Sequence, residues 1–155
     1  MPTKSIPDGY HSVTPYLIVK GAAAANDFYK HAFGASELMR MPSPDGRIGH
    51  AEIKIGNSAL MLADEHPQMG YKSPQSLGGS AVSMMVYVDR VDEVFKKAME
   101  KGAKELQPVK DQFYGDRSGT LQDPFGHTWT IATHIEDIAP EEMRKRAEKF
   151  MQANA

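Results

Sequence analysis

The sequence predicts an α+β fold built from two successive βαβββ modules, and three observations predict it. The first is a repeat. Val13 to Val82 is a step of 69 residues, Gly34 to Gly102 of 68 and Gly56 to Gly126 of 70, and each pair punctuates the same kind of element. The second is the stretch GDRSGTLQDPFGHTWTIATH, Gly115 to His134. It reads as a β-hairpin, because Asp123-Pro124-Phe125-Gly126 supplies the Asp, Pro and Gly that a type I turn asks for at its first, second and fourth places. The third is alternation. Ala51, Ile53 and Ile55 share one face of a strand and His50, Glu52 and Lys54 the other, while Trp129 and Ile131 alternate with Thr128, Thr130 and Ala132. Sheets with one greasy face and one polar face call for helices behind and a cavity in front.

Taken in order, a Pro/Gly-punctuated lead gives way to a strand over Val13–Val19, with Pro15 suited to an edge. Ala22–Phe33 is a helix with Ala25, Phe28, Tyr29 and Ala32 on one side, stopped by Gly34 in a left-handed cap. Leu38–Met41 is a short strand, Pro42–Gly46 a turn, and His50–Ile55 and Ser58–Asp64 are strands joined at Gly56-Asn57. The Pro-, Gly-, Ser- and Gln-rich composition from Glu65 to Ala81 predicts a linker or mobile loop. The pattern then begins again. Val82–Val88 is a strand, and Asp89 is placed to cap a helix whose first turn holds Asp92 and Glu93. Val91, Val94, Phe95, Ala98 and Met99 form its apolar stripe up to Lys101-Gly102. A short strand at Ala103–Leu106, a loop and the hairpin complete the second module. Module one is thus expected over about 10–65, a linker over 66–81 and module two over 82–134, all within a domain spanning 1–138. Pro140 opens a further helix in a separate segment, 139–155, with Met143, Ala147, Phe150 and Met151 on its apolar side. It has no counterpart in module one, so it is expected to clamp a neighbouring module or a second chain.

A chain of 155 residues, 41% apolar and 25% charged, is ordinary for a soluble domain. With net charge −2 and no basic run it offers nucleic acid no phosphate-neutralising surface. The absence of cysteine rules out disulfides, thiolate metal sites and a cysteine nucleophile. No export signal or long apolar stretch is present, so no membrane partner and a cytoplasmic location are expected.

The repeat, together with DFYKHAFGA, GNSALMLADE and GDRSGTLQDPFGHTWTIATHIED, resembles the vicinal oxygen chelate (glyoxalase/bleomycin resistance/dioxygenase) superfamily, and within it the PhnB-like branch, over roughly residues 10 to 138. The resemblance implies paired βαβββ modules, each curling a sheet round a cavity, commonly in a homodimer. Its functional implication is broad, since the superfamily holds isomerases, ring-cleaving dioxygenases, antibiotic-inactivating thiol transferases and sequestering proteins. It also implies His or Glu metal ligands at one inward position on each of four strands. Those positions look like Thr14, Leu62, Ser83 and Thr130 here. None offers imidazole or carboxylate, so no cofactor is expected and a divalent metal is disfavoured.

Candidate chemistry rests on other residues. His50 and Glu52 lie two apart on one strand face, as a base and its orienter, as two relocated metal ligands, or as part of a solvated row that Lys54 continues. Asp64 and Glu65 end a strand and are a third possible ligand or merely solvated. His127 is expected to be structural, His134 to join a polar network that fixes the last helix, and His11, His31 and His66 to lie on the surface. Tyr114, Asp116 and Arg117 precede the hairpin, where Arg117 is a candidate clamp for a substrate carboxylate or phosphonate or a partner for Asp116 or Asp123. Tyr16, Ser83, Met85, Tyr87, Thr128 and Thr130 are expected to line the cavity. The functional expectation is therefore a small-molecule-binding protein. It is a lyase, isomerase or transferase without the usual metal site, with Glu52 or His50 moving the proton and Arg117 or Tyr114 orienting the substrate, or else a sequestering protein, or a metal enzyme using His50 and Glu52.

Overall fold

The computed structural model describes residues 2–155. Strands β1 (Tyr16–Val19), β2 (Ser36–Pro42), β3 (Ile48–Ile55) and β4 (Ser58–Asp64) form one sheet in the order β1-β4-β3-β2. Strands β5 (Met84–Tyr87), β6 (Lys104–Asp111), β7 (Asp116–Gln122) and β8 (Thr128–His134) form a second in the order β5-β8-β7-β6. In each sheet the first strand runs parallel to the last and the other neighbours are antiparallel. Helices α1 (Ala22–Phe33) and α3 (Val91–Glu100) follow the first strand of each module, so the two βαβββ units are present as expected.

The duplication reaches single hydrogen bonds. Tyr16 pairs with Met61 and Met85 with Thr130, so equivalent places on the two sheets are 69 residues apart. At the same step the Asp64 carboxylate accepts from Gly21 and Ala22 N–H at 2.8 and 2.9 Å, and Thr133 Oγ1 accepts from Val91 N–H at 3.0 Å. The last strand of each module thus satisfies the first free N–H groups of that module's helix, the task usually given to a local cap. Asp89 does not do it: Arg90 flanks α3 and makes no side-chain cap bond. Asp64 also takes the Ile48 N–H at 2.7 Å and is therefore structural.

Two segments are more ordered than composition suggests. Between β4 and β5 lie a 3-10 turn, Pro67–Met69, and a four-residue helix α2 (Pro74–Leu77). Glu65 holds them by accepting from Ser73 N–H at 2.9 Å and Ser76 Oγ–H at 2.8 Å, and Ser73 and Pro74 are buried. Strand β6 runs to Asp111 through Pro108, with register shifts between Glu105 and Lys110, which an edge strand tolerates because its outer N–H groups are unpaired.

The core lies between the helices and the inner faces of both sheets, with Leu17, Tyr29, Ile53, Leu62, Leu121 and Ile131 fully enclosed. Helix α1 of module one packs on the hairpin of module two: Phe33 and Tyr29 lie 4.8 and 5.5 Å from Trp129, ring centre to ring centre. Helix α4 (Pro140–Ala153) buries no residue. It is tied down by Arg146 to Glu136 at 2.8 and 2.9 Å and by Phe150 against Phe113 at 4.9 Å.

Candidate functional site

Strand register decides what faces outward. Ala51 pairs with Leu62 and Ile53 with Leu60 on the core side, leaving His50, Glu52, Met61 and Tyr16 on the open face of the first sheet. The inward place on β4 therefore belongs to Met61, which sits opposite Glu52, and Leu62 is wholly buried in the core. On the second sheet Met85, Tyr87, Thr128 and Thr130 share the open face, with Thr120 Oγ1 3.0 Å from Thr130 Oγ1, but of the four only Met85 and Tyr87 border either cavity at the entry to β1. Ser83 is exposed just before β5.

On the first sheet four side chains form an unbroken chain. The Tyr16 hydroxyl lies 2.7 Å from His50 Nδ1, His50 Nε2 lies 3.0 Å from Glu52 Oε1, and the Tyr10 hydroxyl donates to Glu52 Oε2. Hydrogen bonds from His50 and then Tyr10 hold the Glu52 carboxyl below its usual range, so it is an anion that only accepts. It therefore fixes the imidazole proton on Nε2 and leaves Nδ1 to accept from Tyr16. Burial keeps Tyr16 above the ordinary phenol value, and the bond to Glu52 pushes Tyr10 up to about 12. Tyr10 was not anticipated. It comes from the lead, 42 residues from its partner, where no periodicity could reveal it.

A second chain occupies the other sheet. Tyr87 donates to Asp116 at 2.9 Å, and His134 bridges Asp116, which is buried, and Asp137, which is exposed, at 2.7 and 2.8 Å. These bonds raise the His134 imidazole above its ordinary value, Asp116 contributing most. Tyr114 lies over Ser118, hydroxyl to hydroxyl at 3.5 Å. Arg117 departs from expectation. It pairs across the sheet with Thr133, which faces α3, and its guanidinium is held bidentately by Asp92 at 2.8 Å and by Asp111 at 3.0 Å. It faces away from the open side, and its partners are neither Asp116 nor Asp123. His127 is buried, its Nε2 3.0 Å from Ile18 O.

Two cavities meet at Val13–Pro15, where the chain enters β1, and only the smaller is lined by β1 itself. One of about 620 Å³ is lined by Thr14, Ser58, Met85, Tyr87 and Trp129 among others, and one of about 500 Å³ by Tyr16, Ile18, Lys72, Leu77 and Val82 among others. Val13, Pro15 and Met84 belong to both walls. His50 and Glu52 border neither and stand on the open sheet beside Tyr16. Thr14, Met61, Ser83 and Thr130 are a poor donor set for a divalent cation. His50 Nε2 is turned onto Glu52, and among the described residues no three His, Asp or Glu side chains are grouped to hold a metal.

Paired βαβββ modules with open, partly polar sheet faces and cavities where the chain enters the first strand define a class of scaffold rather than a reaction. The chain belongs to the glyoxalase/bleomycin resistance protein/dioxygenase superfamily, whose family model matches residues 9–131. It is 42% identical over 136 residues to an uncharacterised protein of Mycobacterium bovis, covering 86% of this chain and 90% of that one. Among solved structures it resembles TioX from Micromonospora sp. ML1, at 26% identity and a TM-score of 0.63 over 83% of this chain and all (100%) of that one. A PhnB protein from Bacillus cereus, named as a putative 3-demethylubiquinone-9 3-methyltransferase, shares the fold at 20% identity and a TM-score of 0.62, over 79% of this chain and 99% of that one.

Proposed function

We propose that this protein binds a small organic molecule beside β1 and exchanges a proton with it through Tyr16, without a metal. The reading rests on the Tyr16–His50–Glu52 chain, in which each donor meets one acceptor and the terminal carboxylate is anionic. As a substrate X–H bond breaks, its proton passes to the Tyr16 oxygen, the Tyr16 proton passes to His50 Nδ1, and the resulting imidazolium is held by Glu52 at Nε2. The substrate keeps the bonding pair, and reversal at another atom completes an isomerisation, or loss of a leaving group an elimination. Tyr10, bonded to the second oxygen of Glu52, orients that carboxylate. Apolar side chains exposed on the open faces, among them Leu38, Met41, Met85 and Leu106, support a homodimer as the working form. No helix among the described residues is long and apolar enough to cross a membrane.

The test is solvent exchange. Candidate ligands are first found by thermal shift, since a ligand that binds the native state raises its melting temperature. Those that bind are then followed by NMR in D2O. Wild type is expected to exchange a ligand proton for deuterium, and Tyr16→Phe or His50→Gln to slow exchange by about 10²–10⁴ while still binding. Ligands that bind tightly and never exchange would make this a sequestering protein instead.

A further inference from the structure

We propose that the smaller cavity takes an apolar molecule carrying one anionic head, a carboxylate or similar oxyanion, and that Lys72 receives that head. The proposal rests on the reading of Tyr16 above, because Tyr16 forms part of this cavity's wall and not of the other's. The space is about 500 Å³, within the range of small-molecule sites, and its walls include Ile18, Leu77, Val82 and Met84. Lys72 is the one Lys, Arg, Asp or Glu among the lining residues, and the imidazole Nε2 of His127, also in the wall, is engaged by Ile18 O. Lys20 and Lys30 have carboxylate partners at 3.8 and 3.0 Å, whereas Lys72 has none among the described residues.

The backbone on either side of Lys72 is anchored. Tyr71 is bridged to His66 by bonds of 2.8 and 3.2 Å, and Ser73 N–H is held by Glu65 at 2.9 Å. Lys72, itself exposed, is thus carried on a fixed backbone at the wall of a largely apolar space whose lining holds no carboxylate. Such a wall favours a negative head over a neutral one and rejects a positive one, which has no partner there. Placed beside Lys72, an oxyanion or carbonyl oxygen of the ligand also gains from negative charge that develops as a proton leaves towards Tyr16.

Three compounds with one apolar body test the head: 4-phenylbutyrate, 4-phenylbutanol and 4-phenylbutylamine, titrated calorimetrically at neutral pH and low salt. The acid is expected to bind about fivefold tighter than the alcohol, the scale of a partly exposed charge-assisted contact, and the amine weakest. Added salt should narrow the gap. Lys72→Met should bring the acid down to the alcohol's affinity without changing the alcohol's, Lys72→Arg should keep the preference, and Val82→Trp, which fills the space, should weaken all three. Equal binding of acid and amine, an acid affinity indifferent to Lys72→Met, or no binding of any of the three at millimolar concentration overturns the proposal. The two readings separate when the deuterium-exchange test on the thermal-shift ligands is set beside these titrations. Acid preference with none of those ligands exchanging in wild type keeps the ligand class and removes the proton relay, and exchange lost in Tyr16→Phe without any acid preference does the reverse.

Discussion

The Asp123 carboxylate accepts four hydrogen bonds in the core, two from Phe125 and His127 N–H at 2.9 and 3.0 Å and two from Tyr29 O–H and Trp129 Nε1–H at 2.6 and 2.9 Å. The first pair closes the turn that Asp-Pro-Phe-Gly predicts, and that half of its role is legible in four consecutive letters. The second pair joins residues as far as 94 apart and is not. Replacing one oxygen by an amide aims N–H groups at N–H or O–H donors, so Asp123→Asn should cost about 2–4 kcal/mol in urea unfolding, with Tyr29→Phe milder at about 1–2. A loss under about 0.5 kcal/mol for Asp123→Asn would mean that the four bonds carry little net stability. The candidate site shows the same division. Alternation places His50 and Glu52 on one open face, whereas Tyr10 needed the folded lead to bring it there. Leu62 illustrates how a register slip of one residue turns a position from cavity to core, since successive side chains on a strand alternate faces. Arg117 carried no sign in the sequence that Asp92, 25 residues earlier, would claim it.

At the scale of elements, strong periodicity was readable and polar or proline-bearing segments were not. Helix α1 matches its expected bounds and ends at Gly34 with φ of 69°. Strand β6, which carries Pro108, and the anchored stretch from Glu65 to Leu77 offer no apolar rhythm, because their order comes from partners elsewhere: β7 in one case, the Glu65 carboxylate in the other. The last helix depends on contacts of the same kind. His134 ties the end of β8 to Asp116 on β7 and to Asp137 on the way to α4, with Tyr87 of β5 on the other oxygen of Asp116. Nearby, Glu136 and Arg146 pair with each other. Because folding raises the His134 value above its ordinary 6.5, the imidazolium binds more tightly in the native state. Its contribution is then fully present below the unfolded value and lost as pH rises through the folded one. Urea midpoints of wild type and His134→Gln should therefore differ near pH 5 and converge near pH 9, conditions about two units either side of a typical histidine. A gap that widens with rising pH would contradict the direction of this linkage.

For the whole molecule, a doubled sequence does not produce two independent bodies. Each module closes its own sheet and caps its own helix, yet the aromatic cluster of Phe28, Tyr29, Phe33, Phe125 and Trp129 draws three rings from module one and two from module two. His127 reaches across to Ile18 O, and α1 lies against α3. The repeat of 69 announced the two units, but how they interlock depends on side chains no local pattern ranks. The consequence is thermodynamic. A fragment ending at Ala81 keeps β1 to β4 and α1 but leaves Phe28, Tyr29 and Phe33 without Phe125, Trp129 and Asp123. Full burial of each such side chain is worth about 1.5–3 kcal/mol, so losing half of it for three rings removes about 2–4 kcal/mol, comparable with the lower end of the roughly 5–15 kcal/mol that holds a whole domain together. The fragment alone should therefore show no cooperative thermal transition, and adding the 82–155 fragment should restore one. The full chain should unfold in one step, with tryptophan fluorescence from Trp129 in module two and backbone circular dichroism from both modules coinciding. Two separated transitions, or a fragment that melts cooperatively by itself, would show that the shared aromatic cluster is an accessory to two self-sufficient halves.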